Sequence, residues 1–378
     1  MKNINVVIII KWVSHYRYDF YNKLKDNLLK ENINLILVYG EPIFFQDFSR
    51  RDWVNVPWGK KIKNYQINFF NFKFIFQPVF KEIIIADLII VEQANKLLLN
   101  YILLLLCFFK LKKIAFWGHG KNFQNRNIDS FSEKFKRFIA NKAFWWFAYN
   151  DLSKNYLSNL GFPPDKITSV NNTINTNKVI FEFQNFNNSK LVEFQEKYNI
   201  SSSTVGIFCG GLISDKRLDF LFESCKIIKS KIPHFELIII GSGELVNYVI
   251  DLSLNYSWVH YLGPLFDNDK ICAFKSSKVY LNPGLIGLGI FDAFSMNLPI
   301  VTTNFKYHSP EIDYLIHNYN CVITDNNIDS FATGVVNILT DSTLRTNLIY
   351  GGILSANYYS INKMALNFTN GIQKSLNI

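Results

Sequence analysis

VYLNPGLIGLGIFDAFSMNLPIVTTNFKYHSPE, residues 279–311, is the stretch around which the chain is organised. Its apolar start, 279–281, has the β-branched and aromatic content of a buried strand. Pro283 to Gly289 is a glycine-rich turn, residues 290–297 carry a helical pattern, and Pro299 opens a second short strand. Strand, turn, helix and strand form the repeating unit of a parallel α/β sheet. Gly284, Gly287 and Gly289 let the backbone approach a ligand closely. The helix start behind them offers N–H groups and a positive dipole end, which suits a diphosphate. Asp292, just inside that helix, places a carboxylate where ribose hydroxyls would donate to it. The same turn also reads as a plain structural connection.

The rest of the chain repeats this alternation. Residues 5–10 read as a strand, 17–29 as a helix and 35–39 as a strand, a β-α-β start. Between them KWVSHYR places His15, Tyr16 and Arg17 at a strand's C-terminal end, where open α/β sheets bind ligands. Aromatic packing at a helix start is the plain alternative for these three. Residues 41–80 read as irregular, with strand-like alternation over 67–80. Residues 86–93 read as a buried strand, and LLLNYILLLLCFF, 97–109, as a helix apolar all round, sandwiched between sheet and neighbours, with a membrane anchor as the alternative. In KIAFWGHGKNFQ a strand ends at Trp117, and Gly118 and Gly120 set His119 at an open, flexible end, with a packed histidine as the plain alternative. Residues 130–147, SFSEKFKRFIANKAFWWF, open on the capping box Ser130–Glu133 and read as a basic amphipathic helix. That helix suits either a membrane surface or ordinary packing.

Further on, 205–209 is a strand leading into Gly210 and Gly211, with Lys216 at the next helix start. A lysine beside a glycine turn neutralises a diphosphate leaving group, although lysines at helix starts are commonly just solvated. Residues 234–250 give a strand, then Gly241, Ser242 and Gly243, then a helix. Residues 259–274 give a strand, Gly263, and a helix near Asp269. Asp267-Asn268-Asp269 is a metal-binding triplet by letter, but its place before a helix suits N-capping. Residues 179–203 read as a polar linker with a short helix over 190–198.

These segments together resemble the donor-sugar side of retaining GT-B glycosyltransferases, most closely glycosyltransferase family 4. PGLIGL (283–288) looks like the Pro-Gly-x-Val-Gly-Leu form of one surface-polysaccharide branch, and WGHG and HYRYDFY resemble segments of the same branch. Asp292 stands where the second Glu of the family's pair is usual, the first Glu position is Gly284, and the family's Arg position is Gly211. The resemblance implies two Rossmann-like domains with parallel sheets facing a central cleft: 1–178 for the acceptor, 179–360 for the nucleotide sugar, and a helix over 361–378 crossing back. It implies a donor site of Gly210, Gly211, Lys216, Gly241, Ser242, Gly243, Pro264, Leu265, Gly284, Leu285, Ile286, Gly287, Leu288 and Asp292. His15, Tyr16 and Arg17 would meet the acceptor. In catalysis, His119 would position the sugar, Lys216 stabilise the departing diphosphate and Asp292 hold the ribose. No metal and no cofactor are expected, and no protein nucleophile is assigned. The activity implied is retaining transfer from a nucleoside-diphosphate sugar to a glycan, polyprenyl-linked, in capsule or O-antigen assembly. A weakly catalytic sugar-nucleotide binder and a sugar-nucleotide epimerase on the same fold are the rival readings.

Composition narrows the setting. At 378 residues and 49% hydrophobic content, the chain is long enough for two packed domains. Five scattered cysteines without a Cys-x-x-Cys pair argue for reduced thiols and against a zinc site. The start reads as a first strand rather than a signal peptide, and the reduced thiols point to a cytoplasmic compartment. The net charge of +10 is uneven. Residues 1–178 hold 26 Lys and Arg against 13 Asp and Glu, and the remainder 14 against 17. Such a split suggests an anionic partner for the first half, an anionic membrane at the inner cell face above all. Nucleic acid is not expected, for want of a recognisable base-stacking module. A Lys- and Asn-rich composition can also simply follow an AT-rich genome.

Overall fold

The computed structural model describes residues 4–43, 53–69, 72–121 and 139–378. The chain forms two compact units. Met1–Asn175 and Ile361–Ile378 make the first, and Thr176–Ser360 the second.

The first unit is built on a seven-stranded sheet. Its strands are β1 (Ile4–Ile10), β2 (Ile33–Tyr39), β3 (Lys60–Lys61), β6 (Leu88–Glu92), β7 (Lys113–Gly118), β8 (Trp145–Ala148) and β9 (Ile167–Ser169). A separate antiparallel hairpin joins β4 (Tyr65–Phe69) to β5 (Phe72–Phe76). Spatial order in the main sheet is β3-β2-β1-β6-β7-β8-β9, every pair parallel. Strand periodicity sends alternate side chains to opposite faces. In β1, Val6, Ile8 and Ile10 enter one apolar cluster and Val7 and Ile9 the other. Both faces are therefore covered, which explains the unbroken apolar run in the sequence.

One face is covered by the helices Tyr18–Lys30 and Ile361–Leu376. Phe368 of the latter is fully buried, its ring 4.4 Å from Phe147, 5.0 Å from Trp117 and 5.3 Å from Phe20. Gly371 admits this approach, since a Cβ there would fall 2.5 Å from Thr168 Oγ1 and 2.7 Å from Phe147. The opposite face is covered by the helices Phe80–Ile85 and Leu98–Phe108.

The second unit is a six-stranded parallel sheet ordered β12-β11-β10-β13-β14-β15. These are β10 (Val205–Cys209), β11 (Glu236–Ile240), β12 (Val259–Tyr261), β13 (Val279–Leu281), β14 (Ile300–Thr303) and β15 (Cys321–Thr324). Its central strands β10 and β13 are neighbours in space and distant in sequence. This is the switch point beside which doubly wound sheets bind ligands.

Several local expectations change. Within 41–80, the strand-like alternation expected over 67–80 is the β4–β5 hairpin, which begins at Tyr65 and ends at Phe76, with a helix from Phe80. The expected helix over 130–147 lies outside the described residues from 130 to 138, and its far end is strand β8 instead. Burial of Trp146 and Phe147 inside the parallel sheet overrides helical spacing there. The polar stretch after 178 is two helices, Thr176–Gln184 and Asn188–Lys197, rather than a linker with one. Asp267 and Asp269 lie within the first turn of the helix Asp267–Lys275, whose N-cap is Phe266 with no side-chain cap bond. Their carboxylates act on the helix dipole rather than as caps.

Candidate functional site

The second unit brings three strand-end turns together. The Gly210 N–H donates to Ile240 O, Leu212 N–H to Ser242 O, and Gly241 N–H to Gly263 O. Gly241 has φ 144°, and a Cβ there would fall 1.8 Å from Gly210 O, so close backbone contact requires the glycine. The loop after β13 then closes on the loop after β10. Leu285 N–H donates to Asp215 O at 2.8 Å, and the Lys216 ammonium donates to Leu285 O. A Cβ on Gly284 would meet the backbone of Asp215 at 2.3 Å. The lack of a side chain at Gly284 thus serves chain-against-chain packing. Gly211 and Gly287 differ, since nothing lies within 4 Å of where their Cβ atoms would be. These two mark open backbone.

Lys216 is the cation of this corner. Burial pulls its pKa down to about 8, against the pull of Glu311, Cys209 and Asp215. Glu311 is buried, and the Ser309 hydroxyl lies within hydrogen-bond reach of its Oε2 and of Ile286 O. Arg217 follows in the left-handed region at φ 56°, its guanidinium 4.1 Å from the centre of the Phe220 ring. Asp292, in the seven-residue helix Gly289–Ser295, accepts from Lys270 at 2.7 Å. Burial alone would lower the Lys270 pKa, but Asp292 and other neighbouring groups hold it above the ordinary lysine value. Burial pushes the Cys209 thiol up to about 11, with Lys270, Asp292 and Lys216 all acting on it. These groups therefore share one neighbourhood at the β10–β13 switch point. Tyr280 seals its floor, donating to Cys209 O at 2.8 Å.

His308 fixes the 283–289 loop from behind. Its Nδ1 accepts from the Ile286 N–H at 3.1 Å, and its Nε2–H donates to Thr303 O at 2.8 Å. That pairing requires the neutral ring. Burial pushes the His308 pKa below the ordinary value; Thr303 O opposes the shift, while Lys216 and Arg217 reinforce it. Stability from this group is therefore present above the unfolded pKa of about 6.5 and lost as pH falls. The melting temperature should drop on acidification from neutral pH, and His308→Gln should flatten that dependence. Parallel pH profiles for the two proteins would refute it.

Sequence reasoning passed over Lys270, His308, Ser309 and Glu311. The letters HSPE were visible at 308–311, but nothing in spacing says that they back the glycine loop. Pro264 is exposed and Leu265 half-buried, beside Gly263 at φ 69°.

In the first unit, the predicted residues sit at the C-terminal ends of β1 and β7. His15–Arg17 is a single 3-10 turn, with His15 exposed and Tyr16 half-buried. Arg17 is turned inward, 5% exposed, its guanidinium 4.4 Å from the centre of the Trp117 ring and 5.5 Å from that of Tyr149. His119 is half-buried, its ring centre 3.9 Å from that of Tyr149. The strand end that carries it is clasped rather than loose. Gln93 donates from Nε2 to Gly120 O and accepts at Oε1 from Gly120 N–H. The two glycines are explained by this clasp: a Cβ on Gly118 would sit 3.0 Å from Gln93, and Gly120 has φ 80°.

Comparison with known proteins bears on the same regions. The family described as "Glycosyl transferases group 1" matches residues 203–341, the greater part of the second unit. An uncharacterized glycosyltransferase of Haemophilus influenzae is 28% identical over 164 residues, 41% of this chain. The match spans 45% of that relative's length. Among solved structures, a glycosyltransferase from Rickettsia africae superposes with TM-score 0.71 at 16% identity, covering 100% of this chain and 99% of its own. Anabaena HepE, crystallised with UDP, gives TM-score 0.71 at 12% identity over 98% of this chain and 100% of its own. With its two parallel sheets, each crossed by helices, the chain has the GT-B fold of two Rossmann-like domains.

Proposed function

We propose that the chain is a retaining, metal-independent glycosyltransferase that moves a sugar from a nucleoside-diphosphate sugar to a glycan acceptor. The observation that carries this is Lys216, a partly desolvated ammonium held to Leu285 O between two glycine loops at the β10–β13 switch point. Such a cation suits the charge that develops on a departing diphosphate. The open backbone at Gly211 and Gly287 borders the same corner. Asp292 has Oδ2 engaged by Lys270, so a ribose hydroxyl would be taken by Oδ1, with Lys270 setting the carboxylate's orientation. His119 keeps the sugar-positioning role that the resemblance gives it, and His15 and Tyr16 the acceptor role. The acceptor is read as a polyprenyl-linked glycan at the inner face of an anionic cell membrane, for capsule or O-antigen. Among the described residues no helix is long and apolar enough to cross a membrane, so the contact proposed is peripheral.

The test is thermal unfolding with UDP, GDP, CMP and dTDP, each with and without EDTA. UDP comes first because it occupies HepE. At a hundredfold excess over its Kd, a ligand of the folded state adds about 2.7 kcal/mol, several degrees in Tm for a protein of this size. The shift should survive EDTA. Stabilisation by none of the four would sink the donor-site reading, and a shift seen only with a divalent metal would sink the metal-free mechanism.

A further inference from the structure

The helix Leu98–Phe108 departs from its expected burial. It buries Leu99, Leu103 and Leu104 against the sheet, but leaves Leu105 60% and Phe108 72% exposed. The chain continues outward through Phe109 and Leu111, each 65% exposed. Beside it, the helix Phe80–Ile85 exposes Ile84 at 73%. The two segments are tied together through backbone carbonyls. The Lys112 ammonium donates to Ile84 O at 2.7 Å and to Ala86 O at 2.8 Å, tying the residues that follow one helix to the C-terminal end of the other. A monomer gains nothing from wetting this many large side chains on neighbouring segments, and exposed apolar patches mark interaction sites.

The chain that carries the longer helix is basic. Residues 93–121 contain five lysines and no Asp or Glu. Lys81 and Lys110 are exposed at the two ends of the apolar surface. The nearest acids are engaged elsewhere: Glu82 pairs with Lys60, Asp87 accepts from Asn5 N–H, and Glu92 from Lys11 N–H. An apolar surface with exposed lysines at its ends is complementary to the boundary between anionic headgroups and acyl chains. The helix of 11 residues is about 16 Å long, about half the thickness of the bilayer's hydrocarbon core, so it would lie on the bilayer.

We propose that this face of the first unit is a membrane-docking surface. Ile84, Leu105, Phe108, Phe109 and Leu111 enter the interface of an anionic bilayer, and Lys81 and Lys110 meet lipid phosphates. The proposal deepens, and for its purpose rests on, the membrane-side acceptor reading above.

The test is flotation of the full chain with phosphatidylglycerol-containing vesicles, against phosphatidylcholine vesicles, at low and high salt. Wild type should float with the anionic vesicles at low salt. The triple change Leu105→Ser, Phe108→Ser and Phe109→Ser should weaken partitioning by about tenfold or more. Lys81→Gln with Lys110→Gln should weaken it by about tenfold at low salt and change little at high salt. Both variants should keep the wild-type response to UDP, which separates this surface from the donor site. If the triple variant fails to fold, the lysine variant carries the test alone. No flotation of wild type, or unchanged partitioning in the folded variants, overturns the proposal. So does a wild-type dimer that the serine changes dissolve, since a second copy would then be the occupant.

Discussion

Lys216→Met is expected to lower the proposed sugar transfer by about 100- to 1,000-fold, the usual loss when one preorganised charge-stabilising donor is removed. Methionine keeps the unbranched stem and removes only the ammonium. The stem packs near Gly210, whose Cβ position is 3.7 Å from Lys216 Cε, so the fold should survive. The lost bond to Leu285 O would loosen the glycine loop somewhat. A matching pH effect follows from the same group. Burial pulls the Lys216 pKa down to about 8, so the free enzyme loses this cation as pH rises through that value. UDP affinity should be flat below about pH 8 and fall above it, with proton uptake on binding in the alkaline range. In Lys216→Met that alkaline fall should vanish. A variant that keeps wild-type transfer within a few fold, or an unchanged alkaline limb, would remove Lys216 from the chemistry.

Phe368→Ala should be the most damaging single change to stability in the first unit, at about 3–5 kcal/mol. Phe368 is fully buried and lies against Phe147, Trp117 and Phe20. Its removal leaves a cavity lined by rings that cannot easily collapse into it. The corresponding fall in Tm is about 10 °C for a unit of this size. Leu366→Ala, on the exposed side of the same helix, is the control and should stay within about 0.5 kcal/mol. Equal effects at the two positions would mean that the helix is held by something other than this aromatic contact. The readout should follow the first unit by its tryptophans. Trp117, Trp145 and Trp146 are all buried there.

The parts of the fold legible in the sequence are those where one local signal decides. β10 and β13 are short apolar runs closed by glycine or proline, and a buried parallel strand leaves that trace. The helix Phe80–Ile85 left no such trace, because FKEIII continues the aromatic alternation before it and its helical state is fixed by Ile83 and Ala86 packing on the sheet. Residues 98–108 are apolar on every side, so periodicity could not tell the covered face from the exposed one. In the site, Lys216 and Asp292 were readable from glycine loops adjacent to them in sequence. Lys270, His308 and Glu311 were not, because their roles come from loops separated by 20 to nearly 100 residues and brought together by the strand order. Arg17 shows the converse: its position at a strand end was legible, but its inward turn over Trp117 depends on β7, a hundred residues on.

The first unit is also discontinuous, with the whole of Thr176–Ser360 spliced between its sheet and the helix that covers one face. During synthesis at about 5–20 residues per second, that face waits about 10–40 s for its cover. Over that interval Phe20, Trp117 and Phe147 present an oily surface to solvent. The inserted unit can fold in the meantime from its own contiguous residues. Late-acting holdases, or a slow schedule of translation in the second half, would matter to the yield of this protein more than its equilibrium stability. A frameshift within residues 176–360 would leave a nascent sheet permanently unroofed.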